Sequence, residues 1–333
     1  MQIAILAGSV TNITNLVTAC TWSGNRTQAA RKLEFTFVQD GRDPNLPVIN
    51  VDVGYTVVGA DDNGEIVFRG NIYDKEIDRA KSSVKCTCYD NLFVLNKSKT
   101  TKKFDKAYPE DIARSVCGQM GVKTGEIATT GVPVSFIANS KTGYQVIQGA
   151  YYEAHKVNEK LYQLIMRGDE LCVIEKGELC GVVADASTNI TDSIYSEGIQ
   201  NLINAVMVVD EQGNGAEWIT DNESISKYSM FIEVYKQQKD KDAQAEAKAL
   251  LNKPEKSGNI TLLGDYRAIS GYSLTVKDAN FTGKFWIKAD THTFNKGVHE
   301  MKLQLEFENI MAEEKVETEK GTSETATERK RKV

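Results

Sequence analysis

Alternating apolar residues fall in two widely separated blocks of this chain, and that spacing constrains its fold more than any other feature. Leu33, Phe35 and Phe37 alternate near the start; Tyr272, Leu274 and Val276, then Met301, Leu303, Leu305 and Phe307, alternate near the end. A period of two puts every second side chain on one face of a strand, so each run predicts a strand with one buried face. Asp61-Asp62-Asn63-Gly64, between the apolar stretch Tyr55–Gly59 and Glu65–Ile72, adds a hairpin, because Asn and Gly tolerate positive φ. Val84–Tyr89 is a further strand. Several short strands within about 100 residues suggest a small barrel or sandwich at the N-terminus.

The period changes in the middle. Lys97–Lys106 is basic and polar and reads as a linker. Pro109 stands at a helix start, followed by Glu110 and Asp111 in the acidic first turn. Ile112, Val116 and Met120 then recur four apart, and Gly121 can end that helix. A second helix is expected over 142–157, with Tyr144, Ile147, Tyr151 and Ala154 as its apolar stripe. Leu161–Met166 and Leu171–Ile174 read as two strands around Arg167-Gly168-Asp169, so this block is α+β. Leu202–Asp210 reads as a strand leading into a turn over 211–215. Phe231–Leu251 reads as largely helical, with Ala243, Ala247, Leu250 and Leu251 on one face and Pro254 as its stop. Residues 312–333, rich in Glu, Lys, Thr and Ser and ending in the basic run 329–332, are expected to be disordered.

Bulk composition excludes some functions. The 333 residues carry a formal net charge of −6, which gives no overall cationic surface for non-specific nucleic-acid binding. No apolar run approaches the roughly 20 residues a membrane helix needs. The opening MQIAILAGSV lacks a basic leading region and a cleavage pattern, so synthesis in the cytoplasm without export is expected. Six cysteines, with no CxxC pair, are then expected to stay reduced, and the Asn-x-Ser/Thr triplets at Asn12, Asn25, Asn189 and Asn259 unmodified.

Catalytic signatures are sparse. There is no GxxxxGK[ST] loop, GxSxG elbow or HExxH helix, and only His155, His292 and His299 supply imidazole. His292 and His299 flank a predicted hairpin. With Asn295 and Lys296 as the turn they face one another, and Asp290 could join them on a metal; a one-residue change of register puts Phe294 opposite His299 instead. Two structural histidines is the simpler reading, since a metal needs three or four ligands. No spacing supports a Cys–His nucleophile using Cys117 or Cys172. The acidic pairs Asp61–Asp62 and Glu313–Glu314 read as solvated, and Tyr151, Tyr152 and Trp286 as packing residues. The chain is expected not to be an enzyme, with no catalytic, cofactor-binding or metal residues and no cofactor.

An ordered set of short stretches resembles the XkdQ/YqbQ-like baseplate hub proteins of PBSX-type prophages and related tail bacteriocins. They are Ile66–Ile72, Cys88–Leu92, Tyr144–Tyr151, Leu263–Asp265, Ile269–Gly271, Phe281–Ile287, Asp290–Phe294 and His299–Leu303. The resemblance spans roughly residues 1–310. It implies a mainly β chain with two small β-barrels flanking a middle α+β domain: a first barrel over 1–98, the insertion over 99–190, and a connecting strand and helix plus second barrel over 191–310, before a polar tail over 311–333. It further implies a structural homotrimer in the tail baseplate of a phage or bacteriocin particle. Such a trimer adapts the hexameric tail tube to the trimeric central spike, with other baseplate proteins, the tape-measure protein or a LysM-containing protein as further partners. A tail-associated peptidoglycan hydrolase and the hub of a related injection or secretion system are the alternatives. Neither a membrane segment nor specific nucleic-acid binding is implied.

Overall fold

The computed structural model describes residues 1–210, 212–238, 242–295, 297–314 and 316. The chain divides into two compact units, one formed by 1–193 with the residues from 259 onward, the other by 194–258. The protein is mainly β, with a curled half-barrel sheet and few helices.

The N-terminal segment supplies β1 (Gln2–Leu6), β2 (Val10–Asn12), β3 (Val17–Asn25), β4 (Gln28–Val38), β5 (Thr56–Ala60), β6 (Ile66–Asp78) and β7 (Ser83–Asp90). The predicted alternation is realised: Leu33, Phe35 and Phe37 are at most 1% exposed, and Val84, Cys86 and Cys88 meet them from β7. The Asp61 carboxylate closes the β5–β6 turn by accepting from Asn63 N at 2.9 Å and Glu65 N at 2.8 Å. Further along β6, Gly70 is required by close approach, because a Cβ there would lie 2.2 Å from the Tyr89 carbonyl oxygen.

The middle block follows with α1 (Leu92–Lys97), β8 (Lys99–Ala107), α2 (Pro109–Gln119), β9 (Lys123–Ile127), β10 (Val134–Thr142), α3 (Gly143–Asn158), β11 (Tyr162–Arg167) and β12 (Glu170–Glu175). The expected linker over 97–106 is instead a helix end and a strand. Thr100 and Phe104 share one face of β8 and are buried, Phe104 against Phe136 of β10 at 5.2 Å. Two inward residues four positions apart suffice for a strand whose other side chains are mostly solvated, a pattern its lysines mask. Both predicted helices form. Pro109 opens α2, and Thr142 with Gln145 makes a reciprocal capping box on α3, each accepting the other's backbone N–H. Val146, Ile147, Ala150, Tyr151 and Ala154 of α3 are fully buried, and the Tyr151 hydroxyl donates to Ala128 O at 2.7 Å.

After β13 (Leu179–Asp185) and β14 (Ile190–Gly198), the chain forms the second unit. It contains β15 (Ala205–Val209), β16 (Gly215–Thr220), α4 (Asn222–Tyr228), β17 (Ile232–Lys236) and α5 (Ala243–Leu250). Its sheet runs β16-β15-β17, and Val206 and Val208 pack with Ala247 of α5. The helical reading of 231–251 therefore holds only for its second half. Ile232 to Lys236 is a strand parallel to β15, as its β-branched residues on alternate positions favour. Leu250, expected on the apolar face of α5, is 36% exposed.

The last strands are β18 (Glu255–Leu263), β19 (Ser273–Lys277), β20 (Thr282–Asn295) and β21 (Val298–Glu306). They are not a separate sheet. β20 pairs with β3 over Ala289–Phe294 and Cys20–Asn25, and that ladder fuses both ends of the chain into one 13-stranded sheet. Its order is β14-β18-β21-β20-β3-β4-β7-β6-β5-β1-β2, with β19 on β20 and β13 on β19. Beyond β21, the segment expected to be disordered from 312 begins as an ordered strap. Met311 is buried in the core of the middle block, Gln148 Nε2 donates to Ala312 O at 2.8 Å, and Val316 packs on the same core. Residues 317–333 lie outside the described residues.

Candidate functional site

The β3–β20 ladder brings charged residues into the interior of the sheet. On β20, Asp290, His292 and Phe294 point to one side, opposite Gly24, Trp22 and Cys20 of β3. Asp290 and His292 are 1% and 0% exposed. Arg31 of β4 shares the parity of Leu33, Phe35 and Phe37, so its side chain also enters the interior. It crosses above Gly24, where a Cβ would stand 2.2 Å from Arg31 Nη1. Arg31 Nη1 then donates to Asp290 Oδ1 at 3.0 Å, and Nη2 donates to Oδ2. The Ser270 N–H donates to the same carboxylate at 2.6 Å, and the Trp22 ring lies under the guanidinium at 4.1 Å. Burial alone would raise the Asp290 carboxyl, but the Arg31 charge and the hydrogen bonds from His292 and Arg31 outweigh it and hold it below the usual range.

His292 extends the cluster. Its Nε2 lies 3.3 Å from Ala268 O and 3.4 Å from Asp290 Oδ2. Both are acceptors, so Nε2 carries the proton. Its Nδ1 is 2.9 Å from His299 Nε2. The ladder pairs Phe294 with His299, the shifted register, and the imidazoles meet diagonally. Two nitrogens tetrahedrally bound to zinc at about 2.1 Å would stand about 3.4 Å apart, so this spacing is a hydrogen bond and not a chelate. Among the described residues no group of three or more His, Cys, Asp or Glu side chains is arranged to hold a metal. Burial, then the neighbouring imidazole, pushes His299 down to about 4.

Two further buried carboxylates complete the seam. Asp90 Oδ2 accepts from Arg31 N at 3.1 Å and Oδ1 from Leu92 N at 3.0 Å, tying β4 to the start of α1. Burial lifts this carboxyl to about 7, against the pull of those hydrogen bonds and of the Arg31 charge. Glu306, at the end of β21, accepts from Arg26 Nε at 2.9 Å and from Lys176 Nζ at 3.2 Å. The Lys176 side chain is fully buried and also donates to Ile310 O at 2.5 Å, so one carboxylate ties the β3–β4 turn, the exit of β12 and the strap together.

The other sequence candidates lie elsewhere. His155 ends α3 with Nδ1 3.0 Å from Lys160 O. Cys117 is a core thiol that burial raises to about 12, and burial also raises Cys172. All six cysteines are free thiols. Asp61 serves its own turn, and Glu314 pairs with Lys141 at 3.6 Å. Arg31, Asp90, Arg26, Lys176 and Glu306 escaped the sequence reading. For two of them a signal existed: Arg31 continues the odd-numbered apolar positions of β4, and Asp90 the even-numbered ones of β7. A charge on the apolar parity of a strand marks a buried partner.

This geometry ties distant backbone segments together through buried charges. It defines a class of two-ended β protein whose termini join in one sheet around an inserted α+β block. The chain belongs to the YQBQ-like family, whose model matches residues 20–306. No curated protein matches it in sequence. Among solved structures it is similar to the 43 kDa tail protein of prophage MuSo2 from Shewanella oneidensis, with 14% identity and a TM-score of 0.69, covering 92% of this chain and 98% of that one. It is also similar to a tail protein from Neisseria meningitidis MC58, with 12% identity and a TM-score of 0.62 over 91% and 95% of the two chains. A third is prophage tail protein gp18 from Listeria monocytogenes EGD-e, with 11% identity and a TM-score of 0.55 over 91% and 94%. At these identities the likeness is one of fold.

Proposed function

We propose that this chain is a structural hub of a contractile phage-tail or tail-bacteriocin baseplate, a homotrimer that adapts a hexameric tube to a trimeric spike. The observation that supports this reading is the β3–β20 ladder, which joins strands from both ends of the chain in one sheet. Three such subunits in a closed ring present six β units to a sixfold tube, while the ring keeps threefold symmetry for the spike. Head-to-tail contacts that close by rotation build such a ring. The likeness in fold to prophage tail proteins over more than nine-tenths of the chain supports it. So does the seam, whose buried ion pairs fix how the halves are mounted on each other and on the middle block.

The role is mechanical: the hub seeds the tube, holds the spike and transmits thrust, with energy supplied by the contracting sheath and no bond chemistry of its own. The test is native mass measurement of the purified chain, alone and mixed with the tube and spike proteins of a contractile tail. A trimer that joins one tube ring and one spike is expected. A chain that stays monomeric in every mixture, or that hydrolyses peptidoglycan through its middle block, overturns the reading.

A further inference from the structure

Arg31 has a donor that the seam does not use. The Asp290 carboxylate takes Nη1 and Nη2 end-on, which leaves Nε–H on the far side of the guanidinium carbon. Nε is buried and meets no hydrogen-bond partner among the described residues, and Arg31 as a whole is 7% exposed. A buried N–H left unpaired is costly, so its surroundings either hold an acceptor or admit one. Arg31 lines a recess of about 10 Å³ together with Asn25, Gln163 and Ser270, and the rest of the lining is apolar. That is the size that admits a single water.

The polar groups around the recess are those a water needs. Asn25 Oδ1 is already taken, since it accepts from Thr27 N and Thr27 Oγ1, both at 3.0 Å. Gln163 Nε2 donates to Leu164 O at 3.3 Å, which leaves Gln163 Oε1 without a partner among the described residues. Ser270 spends its N–H on Asp290, and its hydroxyl makes no hydrogen bond among the described residues. Gln163 and Ser270 are both buried. No carboxylate lines the recess to hold a cation, and the Arg31 charge is already matched by Asp290, so an anion gains little there. A neutral molecule of the size of water fits both the space and the charge. We propose that this recess is a structural water site, in which one water accepts from Arg31 Nε–H and donates to Gln163 Oε1 and Ser270 Oγ. Three such bonds are typical of a buried water, and a bridging water holds two groups nearly as well as a direct bond. Gln163 lies on β11 of the inserted block, and Arg31 on β4 reaches β20 through Asp290. The water therefore makes one arginine the meeting point of both ends of the chain and the insertion. This inference stands on the geometry of the subunit and does not depend on the ring reading.

The test reads Arg31 Nε–H by nuclear magnetic resonance in the full chain, isotope-labelled at its arginine nitrogens. The resonance is assigned through the bonds of its own side chain, so no change at Arg31 is needed. Wild type is expected to show a slowly exchanging Nε–H with a cross-peak to water, of the sign that marks a long residence time. Ser270→Ala removes the hydroxyl whose proton could relay that signal, and the cross-peak is expected to survive because Gln163 still accepts from the water. Ser270→Ala combined with Gln163→Met leaves the water no acceptor, and the cross-peak is expected to be lost while circular dichroism and melting confirm the fold. A visible Nε–H without a water cross-peak in wild type overturns the proposal, whatever the variants do. So does an Nε–H that exchanges rapidly with bulk solvent, which would place the group outside the core. Loss of the cross-peak in Ser270→Ala alone assigns it to hydroxyl relay, and its persistence in a folded double variant assigns the water to other partners; either result overturns the bridge.

Discussion

Arg31 on β4 and Asp290 on β20 meet in a two-pronged ion pair across 259 residues of sequence, with both side chains buried. This pair links β4 to β20 across β3, the strand that lies between them in the sheet. A buried ion pair adds little net stability compared with apolar residues of the same shape, but removing one partner strands the other's charge. Asp290→Ala is therefore expected to cost about 3–5 kcal/mol, and Arg31→Met with Asp290→Leu much less. Denaturant unfolding of the single and double variants measures this. Additive losses would show that the pair does not act as a unit.

Asp90 predicts a pH dependence. Its carboxyl is raised from the ordinary 3.8 to about 7 in the folded chain, so between those values the folded state holds a proton that the unfolded state has released. Its contribution is full below about pH 4 and is lost as pH rises through 7, by at most on the order of 4 kcal/mol. Asp90→Asn cannot ionise, and the stability difference between wild type and variant should shift against wild type from pH 4 to 8. A constant difference across that range would rule out titration at this position.

His299 has the opposite sign. Its folded value, near 4, lies below the ordinary 6.5, so the unfolded chain takes up the proton first as pH falls. The stability present above pH 6.5 is lost on acidification toward 4. His299→Gln should melt closer to wild type at pH 4.5 than at pH 7.5. Equal separation at both pH values would count against a buried neutral imidazole.

Gly70 tests the packing of β6 on β7. A methyl group there meets the Tyr89 carbonyl, a backbone atom that cannot swing aside. Gly70→Ala is expected to destabilise by about 1–3 kcal/mol. Gly41→Ala, at an open position, serves as the control and should leave the melting temperature near wild type.

Glu306 tests the strap. Glu306→Gln removes the charge shared by Arg26 and Lys176, and Lys176 also holds Ile310 O. Hydrogen exchange should rise selectively over 308–316, with the β3–β20 ladder unaffected. Uniform change, or none, would show that the strap does not depend on the Glu306 charge.

Much of the local structure is written in the sequence, because it depends on neighbours two to four residues away. The alternation in β4 and β21, the Asn-Gly turn before β6, the proline start of α2 and the Thr142–Gln145 cap are all short-range signals. β8 was missed because only Thr100 and Phe104 of its nine residues are buried. β17 was missed because the helical composition of α5 dominated the window around it.

By itself the sequence determined the β, α+β, β order, the faces of the strands it found and the proline start of α2, since periodicity and capping act within one element. Only the tertiary structure decided that the terminal strands share one sheet, that Phe294 and not His292 stands opposite His299, and that Arg31 finds Asp290. The physical reason is that ladder pairing between distant strands, and the burial of a charge beside its counter-charge, depend on which surfaces meet in space. Parity can reveal that a charge points inward, but it cannot name the partner that neutralises it.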